Sequence, residues 1–316
     1  MNRIGARGAD VVALGGGHGL YASLSALRIL TRNITAIVTV ADDGGSSGRL
    51  RKELDILPPG DLRMALSALC DDGGWGQTWR DVLQYRFHTD GDLDGHSMGN
   101  LLIATVWELL GDSVAGLDLI GQLLDTKGRV VPMSATPLEI EADIRVADEL
   151  ETIRGQVAVA TCQANIEHVR IFPKDPPARP EAVGAVFNAD WIIFGPGSWY
   201  TSVIPHLLVP ELHEALVRTD ARRMLVLNLA PDSETTSLSA ADHVRSFREH
   251  APDLHLDVVL VDPDSVTNWA ELEDAARECG ARVLAWKVAC HDGFAQHDPL
   301  NLAAAYREAF SWFPAD

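Results

Sequence analysis

One short segment, TVADDGGSSGRLR at residues 39–51, brings together carboxylates, glycines, hydroxyls and guanidinium groups directly after the apolar run at 34–40. Asp42 and Asp43 could hold the hydroxyls of a sugar, or a Mg²⁺ ion that bridges phosphate oxygens. The glycines and serines supply N–H and hydroxyl donors, and Arg49 or Arg51 could pair with a phosphate in a bidentate fork. The alternative is an Asx-type turn that caps the next helix, with solvated arginines. Two adjacent acids exceed what a cap requires, so binding is favoured.

The segment LGGGHGL at 14–20 lies between an apolar run and a helical pattern. Glycines there let backbone N–H groups approach a phosphate, and the helix N-terminus adds partial positive charge. The spacing Gly17-x-Gly19-x-x-Ala22 also fits the dinucleotide fingerprint, with Asp42 about 20 residues further on. Because the segment has so many glycines, some spacing among them will fit the fingerprint by chance. We therefore predict anion binding rather than NAD binding, with a tight strand-to-helix turn as the alternative.

Two further segments combine a polar cluster with the start of a helix. In PPGDLRMALSAL, Asp61 is either a helix N-cap or a ligand residue, and Arg63 in the first turn is better explained by an anion than by the helix dipole. In GHSMGNLLIA, the helix start could aim N–H groups and the Asn100 amide at a ligand. The candidates for catalysis are Asp42, Asp43 and His96, but a lone histidine is more often a structural hydrogen-bond partner.

The segment FGPGSWYTSVIP at 194–205 places donors and hydroxyls after another apolar run, and Asn228 ends the next one. A rigid Pro-Gly turn is the alternative for the first of these. No Walker A sequence occurs, which disfavours a P-loop ATPase. Together these loops predict a phosphate-rich ligand. The candidate binding residues are Gly15, Gly16, Gly17, His18, Gly19, Asp42, Asp43, Gly44, Gly45, Ser46, Ser47, Arg49, Asp61, Arg63, His96, Asn100, Gly195, Pro196, Gly197, Ser198, Tyr200, Thr201, Ser202 and Asn228.

The elements that must position these loops are short apolar strands alternating with amphipathic helices, which is typical of a parallel sheet covered on both faces. Strands are predicted at 10–14, 34–40, 190–194, 223–229, 256–261 and 282–288. Helices are predicted at 19–31, 60–70, 98–110, 180–188, 210–218, 240–249, 270–278 and 300–311. We therefore expect a single α/β domain over residues 1–316, in which ligands bind at the carboxyl ends of the strands.

The middle of the chain, about 71–180, differs in character. Its first half carries glycines, tryptophans and helical patterns. QVAVATC and IEHVRIF, separated by QAN, predict a β-hairpin near 156–172. This stretch is interpreted as an insertion or subdomain seated on the sheet.

The overall composition limits the partners. A formal charge of −19 repels polyanions, so we expect neither nucleic acid nor an anionic membrane as a partner. The four cysteines are widely spaced, which indicates reduced thiols rather than a zinc site or a disulfide framework. The amino terminus lacks a secretory apolar region, and no apolar run reaches about 18 residues. These features predict a cytoplasmic protein without a membrane span.

Taken together, the segments VVALGGGHGL, ITAIVTVADDGGSSGRLR, PPGDLR, YRF, GHSMGNLL, FGPGSWYTSVIP and DHV resemble the bacterial gluconeogenesis-factor family called YvcK. That family is part of a wider group similar to 2-phospholactate transferase, CofD. The resemblance runs in order from about residue 10 to residue 300. It implies a Rossmann-like, three-layer α/β/α fold with a mainly parallel, doubly wound sheet and a partly helical insertion.

The resemblance also implies a function. YvcK-like proteins are similar to UDP-sugar binders, with UDP-N-acetylglucosamine as the expected ligand, and support cell shape, envelope synthesis and gluconeogenic growth as regulators. The CofD branch implies a transferase that moves a phospholactyl group from a nucleotide-activated donor to a deazaflavin with Mg²⁺, for which Asp43 is the candidate metal ligand here. A third hypothesis is an interaction protein that docks envelope-synthesis partners and has a sensory nucleotide pocket. Self-association into a homo-oligomer stays open.

Three positions depart from the family pattern. Trp269 stands near a family tyrosine and completes the set of candidate ligand residues; Gln296 stands where an arginine is common before a His-Asp pair. Trp199 replaces a leucine within GPGSWYTS. Loss of the arginine would remove a phosphate partner and change affinity or ligand identity.

Overall fold

The computed structural model describes residues 8–146, 149–290 and 295–313. The predicted domain of 1–316 thus extends beyond the described residues at both ends and at two internal points. The strands are β1 (Val11–Gly15), β2 (Ile34–Val38), β3 (Arg129–Pro132), β4 (Glu139–Val146), β5 (Glu149–Arg154), β6 (Asn165–Phe172), β7 (Trp191–Phe194), β8 (Arg222–Val226), β9 (Val258–Val261) and β10 (Arg282–Ala285).

Twelve α-helices connect and cover these strands within the described residues. They are α1 (Gly17–Leu30), α2 (Gly45–Leu54), α3 (Gly60–Leu69), α4 (Gly74–Gln84), α5 (Met98–Leu110), α6 (Ser113–Leu124), α7 (Gln156–Ala160), α8 (Pro180–Asn188), α9 (Pro210–Arg218), α10 (Ala240–His250), α11 (Trp269–Glu278) and α12 (Pro299–Ser311). All six predicted strands and all eight predicted helices are present, with shifts of a few residues at their ends. None of these helices is long and apolar enough to cross a membrane.

The main sheet has seven strands in the order β10-β9-β8-β7-β1-β2-β3, and every neighbouring pair is parallel. The chain winds outward from β1 to β3, returns to β7 beside β1, and then winds outward in the other direction. This is the predicted doubly wound α/β architecture. β1, β7 and β9 are buried along their whole length, as expected for strands covered by helices on both faces.

A second, antiparallel sheet has the order β5-β4-β6. Together with α7 it forms residues 139–172, which we call the antiparallel subdomain. Within β4, Ile140, Ala142 and Ile144 are buried while the intervening side chains face outward, so one face packs and the other meets solvent. The predicted insertion at 71–180 includes this subdomain and α4–α6, but it also contributes β3 to the edge of the main sheet.

The predicted hairpin at 156–172 is wrong. Its second strand is β6, but residues 156–160 form α7, and the partner of β6 is β4. The backbone turns at Gly155, whose φ of 104° belongs to the left-handed region. The N–H groups of Gln156 and Val157 then donate to the Asp43 carboxylate, at 3.0 and 2.9 Å. The Asp43 side chain, which is distant in sequence, therefore caps this segment as a helix. A pattern of residues within the segment alone cannot reveal such a contact.

Candidate functional site

The polar loops lie at the carboxyl edge of the main sheet, around the switch point between β1 and β7. The loop at 15–19 follows β1, the loop at 39–48 follows β2, and the loop at 195–202 follows β7. Because parallel strands end at the same edge, these loops are neighbours, and ligands of open α/β sheets bind at this point. We call the loop at 195–202 the ligand loop.

The first glycine loop and the ligand loop touch through their backbones. A Cβ atom at Gly19 would lie 2.2 Å from the Pro196 carbonyl oxygen and 2.4 Å from the Gly197 Cα. A Cβ atom at Gly16 would lie 2.5 Å from a carboxylate oxygen of Asp61 and 3.2 Å from the Ser202 hydroxyl. These glycines are therefore required for close approach. They bring the start of α1, the Asp61 carboxyl and the Ser202 hydroxyl together.

Asp61 links three of these segments. It lies in the first turn of α3, which begins at Gly60 with Pro59 as the N-cap, so the predicted N-cap role is wrong. Its carboxylate instead accepts the Gly17 N–H at the start of α1. Burial, with a contribution from the charge of Asp42, raises the pKa of Asp61 to about 7.

Asp42 is the second carboxyl of the cleft. Its carboxylate accepts the Gly44 N–H at 2.9 Å, which is the Asx turn considered above, and the Ser47 hydroxyl donates to it as well. Burial raises its pKa, and the charge of Asp43 adds to the increase. Asp42 and Asp61 therefore form a carboxyl pair that repels its own ionisation, which favours a cation or a hydroxyl donor between them.

The Ser46 hydroxyl joins α2 to the start of α5. His96 Nδ1 and Asn100 Nδ2 each lie 3.0 Å from this oxygen, and the Ser97 N–H lies at 3.3 Å. The Asn100 carbonyl in turn accepts a hydrogen bond of 3.0 Å from Arg63 Nε. Burial and the charge of Arg49 lower the pKa of His96. The network positions His96 and Asn100 beside the loop at 39–48.

The two arginine candidates differ in their surroundings. Arg63 is buried, and its Nη1 atom donates a hydrogen bond to the side-chain oxygen of Gln84. The amide oxygens of Asn100 and Gln84 therefore hold its guanidinium group. Burial, together with the charge of Arg86, lowers its pKa to about 10. Arg49 is exposed and donates to the carbonyl oxygens of Asp92 and Asp94, at 3.0 and 2.6 Å. Its predicted phosphate partner would have to replace these carbonyls.

Asp43 has a structural partner. Its two carboxylate oxygens each accept one backbone N–H of α7, and a Cβ atom at Gly155 would lie 2.6 Å from one of them. Asp43 thus fixes the antiparallel subdomain to the loop at 39–48. A Mg²⁺ ion would have to share these oxygens with α7 or displace it, so Asp43 fits a metal poorly.

The ligand loop is braced from behind. Gly195–Pro196 is a cis peptide, and Asn228 both accepts the Gly197 N–H and donates to its carbonyl, at 3.0 and 2.9 Å. Ser198 precedes a π-helical turn at Trp199–Val203, in which Tyr200, Thr201 and Ser202 are buried. The Trp199 indole donates to Ser246 of α10 at 3.1 Å, so this departure from the family pattern packs inward.

Glu234 is a residue that sequence reasoning did not include among the candidates. It lies in the turn Ser233–Thr235 after β8, is only 4% exposed, and accepts the Tyr200 N–H at 3.0 Å. Burial, with a contribution from Asp232, raises its pKa to about 8. Its position after a strand that ends at the same edge was the available signal.

Two candidates lie at the margin of this cluster. His18 is exposed in the first turn of α1. Trp269 begins α11 after β9, which β8 separates from β7, and its side chain is 38% exposed. The remaining candidates, which are Gly15, Gly44 and Gly45, lie within the first two loops.

Metal-binding potential and cavities complete the description. In residues 8–146, 149–290 and 295–313 no group of three or more His, Cys, Asp or Glu side chains is arranged to hold a metal ion. Two cavities of about 350 Å³ each open at the amino-terminal edge of β1–β3, lined in part by Arg129 and Gly128. The polar loops lie at the other edge, so these cavities do not belong to the candidate site.

Comparisons with known proteins identify the family of this chain. The family model described as 2-phospho-L-lactate transferase CofD matches residues 11–285. A protein of Mycobacterium tuberculosis (strain ATCC 25618 / H37Rv), named "Putative gluconeogenesis factor", is 50% identical over 303 residues, which cover 93% of this chain and 88% of that protein. The "Gluconeogenesis factor" of Bacillus subtilis (strain 168) is 36% identical over 270 residues, covering 84% and 83%.

The fold has a solved counterpart. The crystal structure of a member of the UPF0052 family from Bacillus halodurans superposes with a TM-score of 0.85 at 33% sequence identity. The superposition covers 95% of this chain and 99% of that one.

Proposed function

Because the chain belongs to the CofD family and, within it, to the gluconeogenesis factors of the YvcK type, we propose that it is a regulatory protein that binds a nucleotide sugar of the UDP-N-acetylglucosamine kind. In this proposal the protein supports cell shape, envelope synthesis and growth on gluconeogenic carbon sources. Its output would pass to envelope-synthesis proteins that respond to the occupied site.

The observation that carries this proposal is the backbone contact between the loops at 15–19 and 195–202. The first turn of α1 packs against the Pro-Gly turn at this contact, so the amino-terminal end of α1 lies beside the ligand loop. The partial positive charge of that helix end favours an anion, so it can stabilise a diphosphate without a cation. This matters in a chain with a formal charge of −19, where a free phosphate would otherwise be repelled.

The remaining polar groups suit a sugar. Asp42 and Asp61 are hydrogen-bond acceptors at neutral pH, and the Asn100 amide and the Ser202 hydroxyl can pair with hydroxyls or an acetamido group. The pKa of Asp61 near 7 leaves this carboxyl partly protonated, so it can donate as well as accept. A sugar hydroxyl, which is both donor and acceptor, matches such a group.

Calorimetric titration of the full chain with UDP-N-acetylglucosamine, UDP and GDP tests the proposal. We expect the sugar nucleotide to bind most tightly, UDP more weakly and GDP weakest. Ser202→Ala should weaken UDP-N-acetylglucosamine, with Ser311→Ala at the far end of α12 as an unaffected control. No heat from any uridine nucleotide at millimolar concentration would reject nucleotide-sugar binding.

A second candidate function is favoured by the CofD family match over residues 11–285. It is transfer of a phospholactyl group from a nucleotide-activated donor to a deazaflavin, for which Mg²⁺ would neutralise phosphate charge. The fit of Asp43 to that ion is poor, since both of its oxygens accept N–H groups of α7. A product assay with deazaflavin and activated phospholactate decides: turnover by the wild type that Asp43→Asn abolishes supports transfer, and silence with every divalent metal removes it.

A further inference from the structure

We propose that Glu234 is a positioning residue for the ligand loop, which it holds in its binding conformation while its carboxyl is neutral and loosens when the carboxyl ionises. The inference rests on the proposed function only in that nucleotide binding is one of its two readouts. Glu234 itself would not touch the ligand.

The geometry behind the inference is a carboxyl enclosed between two segments. Glu234 Oε1 accepts the Tyr200 N–H at 3.0 Å, at the start of the π-helical turn that follows Ser198. The N–H and the hydroxyl of Thr201 also face this carboxyl. Asp232, whose side chain closes a capping box with Thr235, fixes the turn that carries Glu234. The carboxyl is thus rigidly placed against the ligand loop.

An ionised carboxylate is costly at this position. A buried charge is tolerated when it is paired with a cation, but only the neutral donors of Tyr200 and Thr201 face this carboxyl, and the charge of Asp232 opposes its ionisation. The neutral acid keeps the Tyr200 hydrogen bond and removes the charge. Burial accordingly raises the pKa of Glu234 to about 8, so the neutral form prevails at pH 7.

Other titratable groups around this turn cannot replace Glu234. Elements packed against it are the π-helical turn, α7 and β6, and α7 carries no titratable side chain. The titratable side chains near the turn or near Tyr200 are Asp232, Tyr200, Asp242, His243, Glu249, Glu167, His168 and His250. The His250 ring lies 6.3 Å from that of Tyr200, and burial lowers its pKa. Burial lowers the pKa of His243, and pairing with Arg145 lowers the pKa of Glu167, so neither moves toward a midpoint near 8.

A diphosphate gains twice from the neutral state. The loop N–H groups keep their orientation, and no extra negative charge lies behind them. If the ligand binds only the neutral form, its affinity falls about tenfold between pH 7 and pH 9 for a carboxyl with a pKa of about 8. Ionisation of the nucleotide and of Asp61 adds a background that is common to all variants.

The first experiment is calorimetric titration with UDP between pH 6 and pH 9. We expect the wild type to lose about ten times more affinity over pH 7–9 than Glu234→Gln, because glutamine keeps the acceptor without a proton. Glu249→Gln, an exposed neighbour on α10, is the matched control and should behave as the wild type. Equal pH dependence in Glu234→Gln and the wild type overturns the inference.

The second experiment needs no ligand and no variant that must fold. The backbone amide of Tyr200, followed by TROSY NMR in the wild type, should titrate with a midpoint near the Glu234 value of about 8. A flat Tyr200 amide from pH 6 to about 9.5 rejects the role of Glu234. If the amide titrates while no uridine nucleotide binds, the positioning role stands and nucleotide-sugar binding is rejected.

Discussion

The carboxyl edge of the main sheet and the antiparallel subdomain treat their acidic side chains in opposite ways. At the carboxyl edge, burial raises the pKa values of Asp42, Asp61 and Glu234. In the subdomain, hydrogen bonds from Arg170 and Thr152 lower the pKa of Asp143 to about 2. At the edge, these three carboxyls form no ion pair with an arginine or lysine. In the subdomain, acidic side chains form ion pairs with arginines on a solvated face.

The difference indicates what each region is for. A ladder of ion pairs covers the outer face of β4–β6, including Arg145 with Glu167 and Arg154 with Glu141. Such exposed pairs contribute little stability and mark an ordinary solvated face. Uncompensated carboxyls in a buried cleft cost stability, and shifted pKa values of this kind cluster at functional sites. The contrast therefore favours the edge as the functional region.

The strongest way to break the edge region is Gly19→Val. Its side chain would overlap Pro196 and Gly197, because a Cβ atom there already lies 2.2 Å from a carbonyl oxygen. We expect UDP binding to fall below detection and stability to drop by about 3 kcal/mol in urea unfolding. Gly184→Ala, where a Cβ atom meets nothing within 4 Å, is the control and should change stability by less than about 1 kcal/mol. Retained binding in Gly19→Val would show that the loop contact is dispensable.

The second largest expected effect is on the pH dependence of stability, through Asp61. The folded pKa of Asp61, about 7, lies above its unfolded value, so its contribution is complete below about pH 4 and lost as pH rises to 7. We expect Asp61→Asn to melt higher than the wild type at pH 7.5, by on the order of 5 °C, and to show no such gain at pH 4. Differential scanning calorimetry at the two pH values measures this. An equal shift at both pH values would contradict the buried-acid account.

A smaller effect is expected when the contact between the two regions, which Asp43 makes with α7, is removed. Asp43→Ala removes both acceptors from the first turn of α7, and we expect a loss of about 1–2 kcal/mol, typical of a helix cap. Hydrogen exchange should accelerate at residues 155–160. Asp112→Ala removes the cap of α6 instead and should accelerate exchange only near residue 115. Unchanged exchange at 155–160 would mean that α7 is held by packing alone.

The smallest effect lies in the subdomain itself. Arg170→Gln should cost about 0.5 kcal/mol at pH 7, since the Arg170 and Asp143 side chains are 42% and 25% exposed and water screens their pair. The folded pKa of Asp143 is lowered, so this contribution is present above about pH 4 and lost as pH falls to 2. Urea unfolding of the wild type and Arg170→Gln at pH 5 and pH 2.5 measures this. Arg170→Gln should lower stability at the higher pH, whereas Asp61→Asn should raise it there.

Prediction from sequence succeeded where residues are buried on both sides. The apolar runs that became β1, β7 and β9 needed no partner to be recognised. Prediction failed where a strand is buried on one face only, or where the decisive contact comes from a distant part of the chain. The short β3, which is exposed at its first residue, and the strands β4 and β5 were not predicted, although apolar and charged residues alternate in β4 as in a half-buried strand.

The same limit applies to the site. Sequence reasoning gathered the loops because parallel strands end at one edge, a rule that needs only strand order. It could not foresee that Arg49 donates to the carbonyls of Asp92 and Asp94, or that Glu234 lies buried against the ligand loop. These outcomes depend on which loop each side chain meets after folding.

By itself, the sequence determined the parallel α/β sheet, the edge at which the polar loops lie and the family. Continuous apolar runs and glycine spacing are local properties that survive without tertiary contacts. The tertiary structure alone decided that residues 156–160 are a helix, that Asp43 is its cap, and that Glu234 and Asp61 keep protons near neutral pH. The reason is physical: capping and desolvation arise from groups brought together across the chain, 113 residues apart for Asp43 and Gln156.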